Sequence, residues 1–135
     1  MILNSKKTKV VIFGFTEKYK FTTRLKVDNE RIEVVSQAKL LGVHITNDLK
    51  WDVNTEHLVK RANTRMDPQK SSFTTNIEEK RNMIYILYIR SILEQSSVVW
   101  NSSLTVQNSE DLERVQRAAV RIILGKNFEN YEKAL

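Results

Sequence analysis

The feature that most constrains the fold is a change of hydrophobic period at Lys39–Trp51, KLLGVHITNDLKW. Ahead of it apolar residues come in short, weakly alternating runs. Behind it they return every three or four residues over long stretches. Period two suits strands and period 3.6 suits helices, so the chain must carry a β part followed by an α part. Inside the seam, Leu40, Leu41, Val43 and Ile45 form an apolar run with β-branched members, which predicts a strand. Gly42 interrupts that run as a bulge or a close backbone approach would. Thr46-Asn47-Asp48 is a turn cluster, after which Leu49 and Trp51 restart the apolar pattern.

Taken in order, Val10-Val11-Ile12-Phe13 predicts a buried strand behind a lysine cluster. Phe21, Thr23, Leu25, Val27, Ile32 and Val34 alternate weakly, with Asp28-Asn29-Glu30 as a hairpin turn between them. Beyond the seam, Asp52 or Asn54 can open a helix running to about Met66, with Val53, Leu58, Ala62 and Met66 near one face. Met66–Ser72 is polar and holds the only proline, Pro68, which breaks a helix interior. Ile77 to about Gln95 is apolar nearly all round, so it is expected at the centre of the helical half. The last helix takes Asn108 as N-cap and acids in its first turn, with Gly125 just past its end. Leu112, Val115, Ala119, Ile122 and Ile123 form its apolar stripe. The expected fold is α+β: short N-terminal antiparallel β-hairpins or sheet over residues 1–51, about three helices in a bundle over 52–126, and a tail over 127–135.

A chain of 135 residues can bury one modest core. It has no cysteine, which excludes disulfides and thiolate metal sites and makes an intracellular home the expectation. No apolar run approaches a membrane span, and the first residues lack the order of a secretory signal. Three glycines leave no phosphate-binding loop, dinucleotide fingerprint or nucleophile elbow. An Fe(II)/2-oxoglutarate oxygenase needs two histidines and a carboxylate. His44 is followed by Ile45-Thr46, so no His-x-Asp exists, and His57 is the only other imidazole. Both read as structural or surface residues.

Charge carries more. Residues 1–50 hold 10 Lys/Arg against 5 Asp/Glu, and residues 51–135 hold 12 against 11, so the basic excess lies in the strand half. Such a surface suits phosphates, and equally a lysine-rich face that only meets water. Three clusters are candidates for nucleic-acid backbone. Lys6, Lys7 and Lys9 stand at the mouth of a strand, where they either meet phosphates or guard an aggregation-prone segment. Lys60, Arg61 and Arg65 lie off the apolar stripe of their helix, on a face that binds a backbone or is merely solvated. Arg114, Arg117 and Arg121 recur at spacings of three and four as one ridge, free for phosphates or paired with Glu110 and Glu113. Tyr85, Tyr88 and Arg90 could stack on bases, but their apolar neighbours favour a packing role.

Lys39-Leu40-Leu41-Gly42-Val43 with Asp48-Leu49-Lys50-Trp51 resembles the "KYLGV…D..L.W" signature of non-LTR (LINE-type) retrotransposon reverse transcriptases. Asn4, Lys6, Lys7, Thr8, Lys9 and Phe13 are similar, in order, to that family's "LN.KKTKV..F". Tyr88–Glu94 with Val98–Thr105 resembles "Y.RS.LEY…VW.SSLT", and Leu112–Ala119, Arg121–Gly125 and Tyr131 resemble "LE.VQ..A.RIILG…Y..AL". The likeness is colinear over nearly the whole chain. Leu40 and Gln95 depart from it, each standing where the family has an aromatic residue, and so does the polar stretch around Pro68. The resemblance implies the end of a palm, a primer-grip-like hairpin at Lys39, Leu40, Leu41, Gly42 and Val43, and a helical thumb. It implies RNA template and DNA primer as partners of the intact enzyme, and Mg2+ only there. The family's Asp-Asp box belongs before Asn4, and Asp28, Asp48, Asp52, Asp67 and Asp111 are scattered. The expectation is a truncated fragment of an RNA-directed DNA polymerase that does not itself polymerise. The alternatives are a stand-alone nucleic-acid-binding module and an inactive relic. An orphaned sheet edge offers a route to self-association.

Overall fold

The computed structural model describes residues 4, 7–14, 25–27, 29–66, 83 and 85–124, with backbone only at 123 and 124. Lys6, Phe21, Thr23, Asp28, the Pro68 break, the predicted helix before Met83, Ile84, Gly125 and the 127–135 tail lie outside the described residues. The architecture is α+β, strands first and helices after. It divides into two compact units, residues 1–53 and 54–135.

The first unit holds six short strands: β1 (Lys9–Val11), β2 (Lys26–Val27), β3 (Glu30–Arg31), β4 (Glu33–Val35), β5 (Gln37–Leu40) and β6 (Val43–Thr46). They pair two by two. β2 and β3 form the hairpin expected around Asn29, whose φ of 63° makes the tight reversal. β1 and β4 are parallel, in register Lys9↔Glu33, Val10↔Val34 and Val11↔Val35. An all-antiparallel β region was expected; residues 12–32 supply a connection long enough for a parallel pair. β1 is only half-buried, and Phe13 is exposed rather than packed.

The run Leu40–Ile45 is not one bulged strand. It is a hairpin whose turn is Leu41-Gly42, at φ 48° and 91°, joining β5 to β6 with Leu40↔Val43 as its last pair. Two successive positive φ values make a type I′ turn, which matches the twist of the flanking strands. Leucine is a rare residue in that conformation, and it disguises the turn in the sequence. After β6 a second turn is tied by side chains. The Lys50 N–H donates to Asp48 Oδ1 at 3.2 Å, and Thr46 Oγ1 donates to the Lys50 carbonyl at 2.8 Å. Val43 and Trp51 are buried.

The second unit is helical. α1 (Asp52–Met66) begins in the first unit and buries Leu58, Ala62 and Met66 at spacings of four. A π-helical segment, Tyr85–Arg90, runs directly into α2 (Ser91–Leu93). Ser96, at φ 55°, turns the chain into α3 (Ser97–Trp100), and a 3₁₀ turn at Asn101–Ser103 leads to α4 (Val106–Leu124). Tyr85, Ile89, Ile92, Leu93, Trp100, Val115, Ala119 and Val120 complete the core.

Two expectations are corrected here. The apolar segment is not buried all round: Met83, Ile86, Leu87 and Tyr88 are each more than half exposed, while Tyr85 and Ile89 are buried in a π-helical segment that packs on α4. The N-cap of α4 is Thr105, not Asn108. Its hydroxyl accepts the Asn108 N–H at 3.2 Å, while Asn108 itself is buried inside the first turn. On α4, Ile122 is exposed and Val120 takes the buried place.

Candidate nucleic-acid interface

The strand half gathers its basic residues by parity. Lys9 and Val11 share one face of β1 by alternation, and Lys7 in the turn before it and Phe13 after it join them on that face. That face lines an open groove of about 660 Å³ together with Gln37, Ala38, Lys39, Leu40, His44 and Ile45 of the β5–β6 hairpin. Lys39 and His44 are cross-strand partners on it. Lys9 is paired with Glu33, its register partner, at 3.6 Å. Lys7 and Lys39 make no ion pair among the described residues. Of the primer-grip-like positions, Val43 is buried while Leu40 and Leu41 stand out at the tip, Leu41 being 90% exposed.

On α1, His57, Lys60, Arg61, Thr64 and Arg65 recur at i, i+3, i+4, i+7 and i+8 and line one open groove. Lys60, Arg61 and Arg65 make no ion pair among the described residues, Glu56 one turn before Lys60 included. Arg61 is held by a neutral partner: its Nη1 donates to Gln95 Oε1 at 2.8 Å. Thr64 Oγ1 donates to the Lys60 carbonyl and so presents no free proton to the groove.

The arginine ridge of α4 is different. Arg114 pairs with Asp111 at 2.8 Å and Arg117 with Glu113 at 2.6 Å, one turn back on the same helix. Glu110 and Glu113 line the same groove as Arg114, Arg117 and Arg121. Pairing within the helix, one of two readings of this ridge, is therefore present: Glu113 serves as expected, while Arg114 takes Asp111, which was not among the expected partners. Each pair contributes only a few tenths of a kcal/mol, about 0.3–0.5, to stability. Its larger consequence is that the ridge presents little net charge outward. Arg90 is likewise bound to Glu94 at 2.7 Å, which holds its guanidinium more firmly protonated.

Tyr85 is buried rather than offered for stacking. Burial raises its phenol above the usual value of 10.0, and Gln116 beside it offsets part of that. Tyr88 is exposed. Among the described residues no three of His, Asp and Glu stand together as a metal site. No described helix is long and apolar enough to cross a membrane.

Two features were not expected from the sequence. The Arg61–Gln95 link spans 34 positions and leaves no local signal. The juxtaposition of Phe13 and His44 with the lysines was signalled only by the odd-numbered spacing of Lys7, Lys9, Val11 and Phe13. No protein-family model matches the chain, and neither a curated protein nor a solved structure matches it.

Proposed function

We propose that this chain is the end-of-palm and thumb portion of a reverse transcriptase of the non-LTR retrotransposon type, and that its own task is to hold nucleic-acid backbone rather than to transfer nucleotides. The four colinear sequence segments support the family. The observation that carries the binding role is the contrast between two basic helix faces. α4 meets each of Arg114 and Arg117 with a carboxylate, whereas α1 leaves Lys60, Arg61 and Arg65 without one among the described residues.

Uncompensated cations cost a fold self-repulsion, so a face that keeps them is suited to an outside anion. The rise from Arg61 or Lys60 to Arg65 is about 6–7.5 Å along the axis at 1.5 Å per residue. That is the scale of successive phosphates on one strand, so the stripe can follow a backbone without reading its bases. The groove of the strand unit adds Lys7 and Lys39 to the basic surface of its own unit.

Fluorescence anisotropy with a labelled RNA–DNA duplex tests the reading. With three phosphates met by α1, log K should fall with log salt at a slope of about −2.7. Failure to bind that duplex at low salt would overturn the proposal. Equal binding to an uncharged backbone analogue would overturn it too.

A further inference from the structure

We infer that Gln95 is a positioning residue for phosphate binding: it aims the Arg61 guanidinium across the α1 groove without neutralising it. The inference rests on the reading of α1 as a backbone-binding stripe and adds to it a residue from another helical element.

The geometry is built from both sides. Gln95 lies where α2 ends, and its backbone is fixed twice. Its N–H donates to the Ile92 carbonyl at 3.3 Å, and its own carbonyl accepts the indole N–H of Trp100 at 3.0 Å. Trp100 is among the most deeply buried side chains of the chain, so this anchor moves with the core. Ser96, in the left-handed conformation, turns the chain away immediately afterwards. The Gln95 side chain is thus delivered from a fixed point, and its Oε1 meets Arg61 Nη1 at 2.8 Å.

The chemistry of the partner decides what the contact does. A guanidinium has five N–H donors in a planar fork, and one bond to an amide leaves the rest for a phosphate. An amide oxygen orients the fork but carries no charge. A carboxylate in its place would orient it equally and cancel the attraction, as Asp111 and Glu113 do for Arg114 and Arg117. Glu94, the acid next to Gln95 in sequence, is itself engaged by Arg90 at 2.7 Å. The acid at this corner is occupied, and the neutral residue is the one that meets Arg61 of the groove.

The discriminating experiment compares Gln95→Glu with Gln95→Ala on the full chain, titrating a labelled RNA–DNA duplex across a salt series. Gln95→Glu keeps the hydrogen bond and withdraws one charge, so the salt slope should shrink by about 0.9 and binding should weaken several-fold. Gln95→Ala keeps the charge and loses the aim, so affinity should drop while the slope stays within error of the parent. A purely structural role would move both variants alike and would leave the slope alone. Coincident thermal melts of the two variants keep the comparison valid. If the parent protein binds with a steep slope and Gln95→Glu leaves it unchanged, the positioning role is wrong while the α1 interface stands. If the parent does not bind, both fall together.

Discussion

Replacing Leu41 with asparagine is expected to stabilise the protein although it removes an apolar side chain. Leu41 occupies the left-handed region at φ 48°, the first central position of the turn between β5 and β6. That conformation costs an ordinary L-residue about 1–2 kcal/mol, and asparagine is one of the few residues that visit it readily. The side chain being lost is 90% exposed, so only about a tenth of a full leucine burial is forfeited. At about 1.5–3 kcal/mol for complete burial, that is about 0.2–0.3 kcal/mol. The balance is a gain of about 1 kcal/mol, or about 2–4 °C in Tm for a chain of this size. The opposite sign is expected one residue on. Gly42 sits at φ 91°, where a Cβ is strained, and Gly42→Ala should cost about 1–2 kcal/mol. Urea unfolding at constant m-value measures both. A Leu41→Asn protein that is less stable than the parent, or a Gly42→Ala protein that is equally stable, would refute the type I′ turn.

Thr105→Ala should lower stability by about 1 kcal/mol and Thr105→Ser should restore most of it, since the hydroxyl alone caps α4; equal loss in both would return the cap to Asn108. Asp48 is held below its ordinary value of 3.8, first by the Thr46 hydroxyl and then by the Lys50 N–H. A depressed carboxylate contributes stability above its unfolded pKa and loses it as pH falls through the folded one. The stability advantage over Asp48→Ala should therefore be present above about pH 4 and fade below it. A carboxyl titration by NMR with its midpoint at or above 3.8 would contradict this. The strands pair only two by two, so each has an edge without a ladder partner among the described residues. Sedimentation across a concentration series should show self-association, and a monomer throughout would argue against open edges.

How much of this was legible follows from where each signal lies. The helix Asp52–Met66 was, because Leu58, Ala62 and Met66 repeat at a helical spacing behind an acidic first residue. The β5–β6 hairpin was hidden from the hydrophobic pattern, because its turn uses leucine where asparagine is usual and so looked like the middle of a strand; only the family resemblance implied a hairpin there. Thr105 and Asn108 are both good capping residues three apart, and only the hydrogen bond chooses between them. Apolar density at Met83–Leu93 could not show which of its residues stay exposed. At the candidate site the basic residues were plain in the sequence, but their state was not. Acids one turn from the arginines made pairing within α4 readable as one of two outcomes, with Glu113 as a partner, but the choice of Asp111 for Arg114 was not. The Arg61–Gln95 bond depends on tertiary structure that no local pattern encodes.

The most direct test of the central claim sets the two helix faces against each other. Lys60→Gln/Arg65→Gln and Arg114→Gln/Arg117→Gln remove the same charge from α1 and from α4. Binding of a labelled RNA–DNA duplex is then followed across a salt series. The account predicts that the α1 pair cuts the slope by about 1.8, two phosphate contacts, while the α4 pair leaves it near the parent's. A loss of slope confined to the α4 pair, or shared equally by both, would contradict the claim that α1 is the face that holds the backbone.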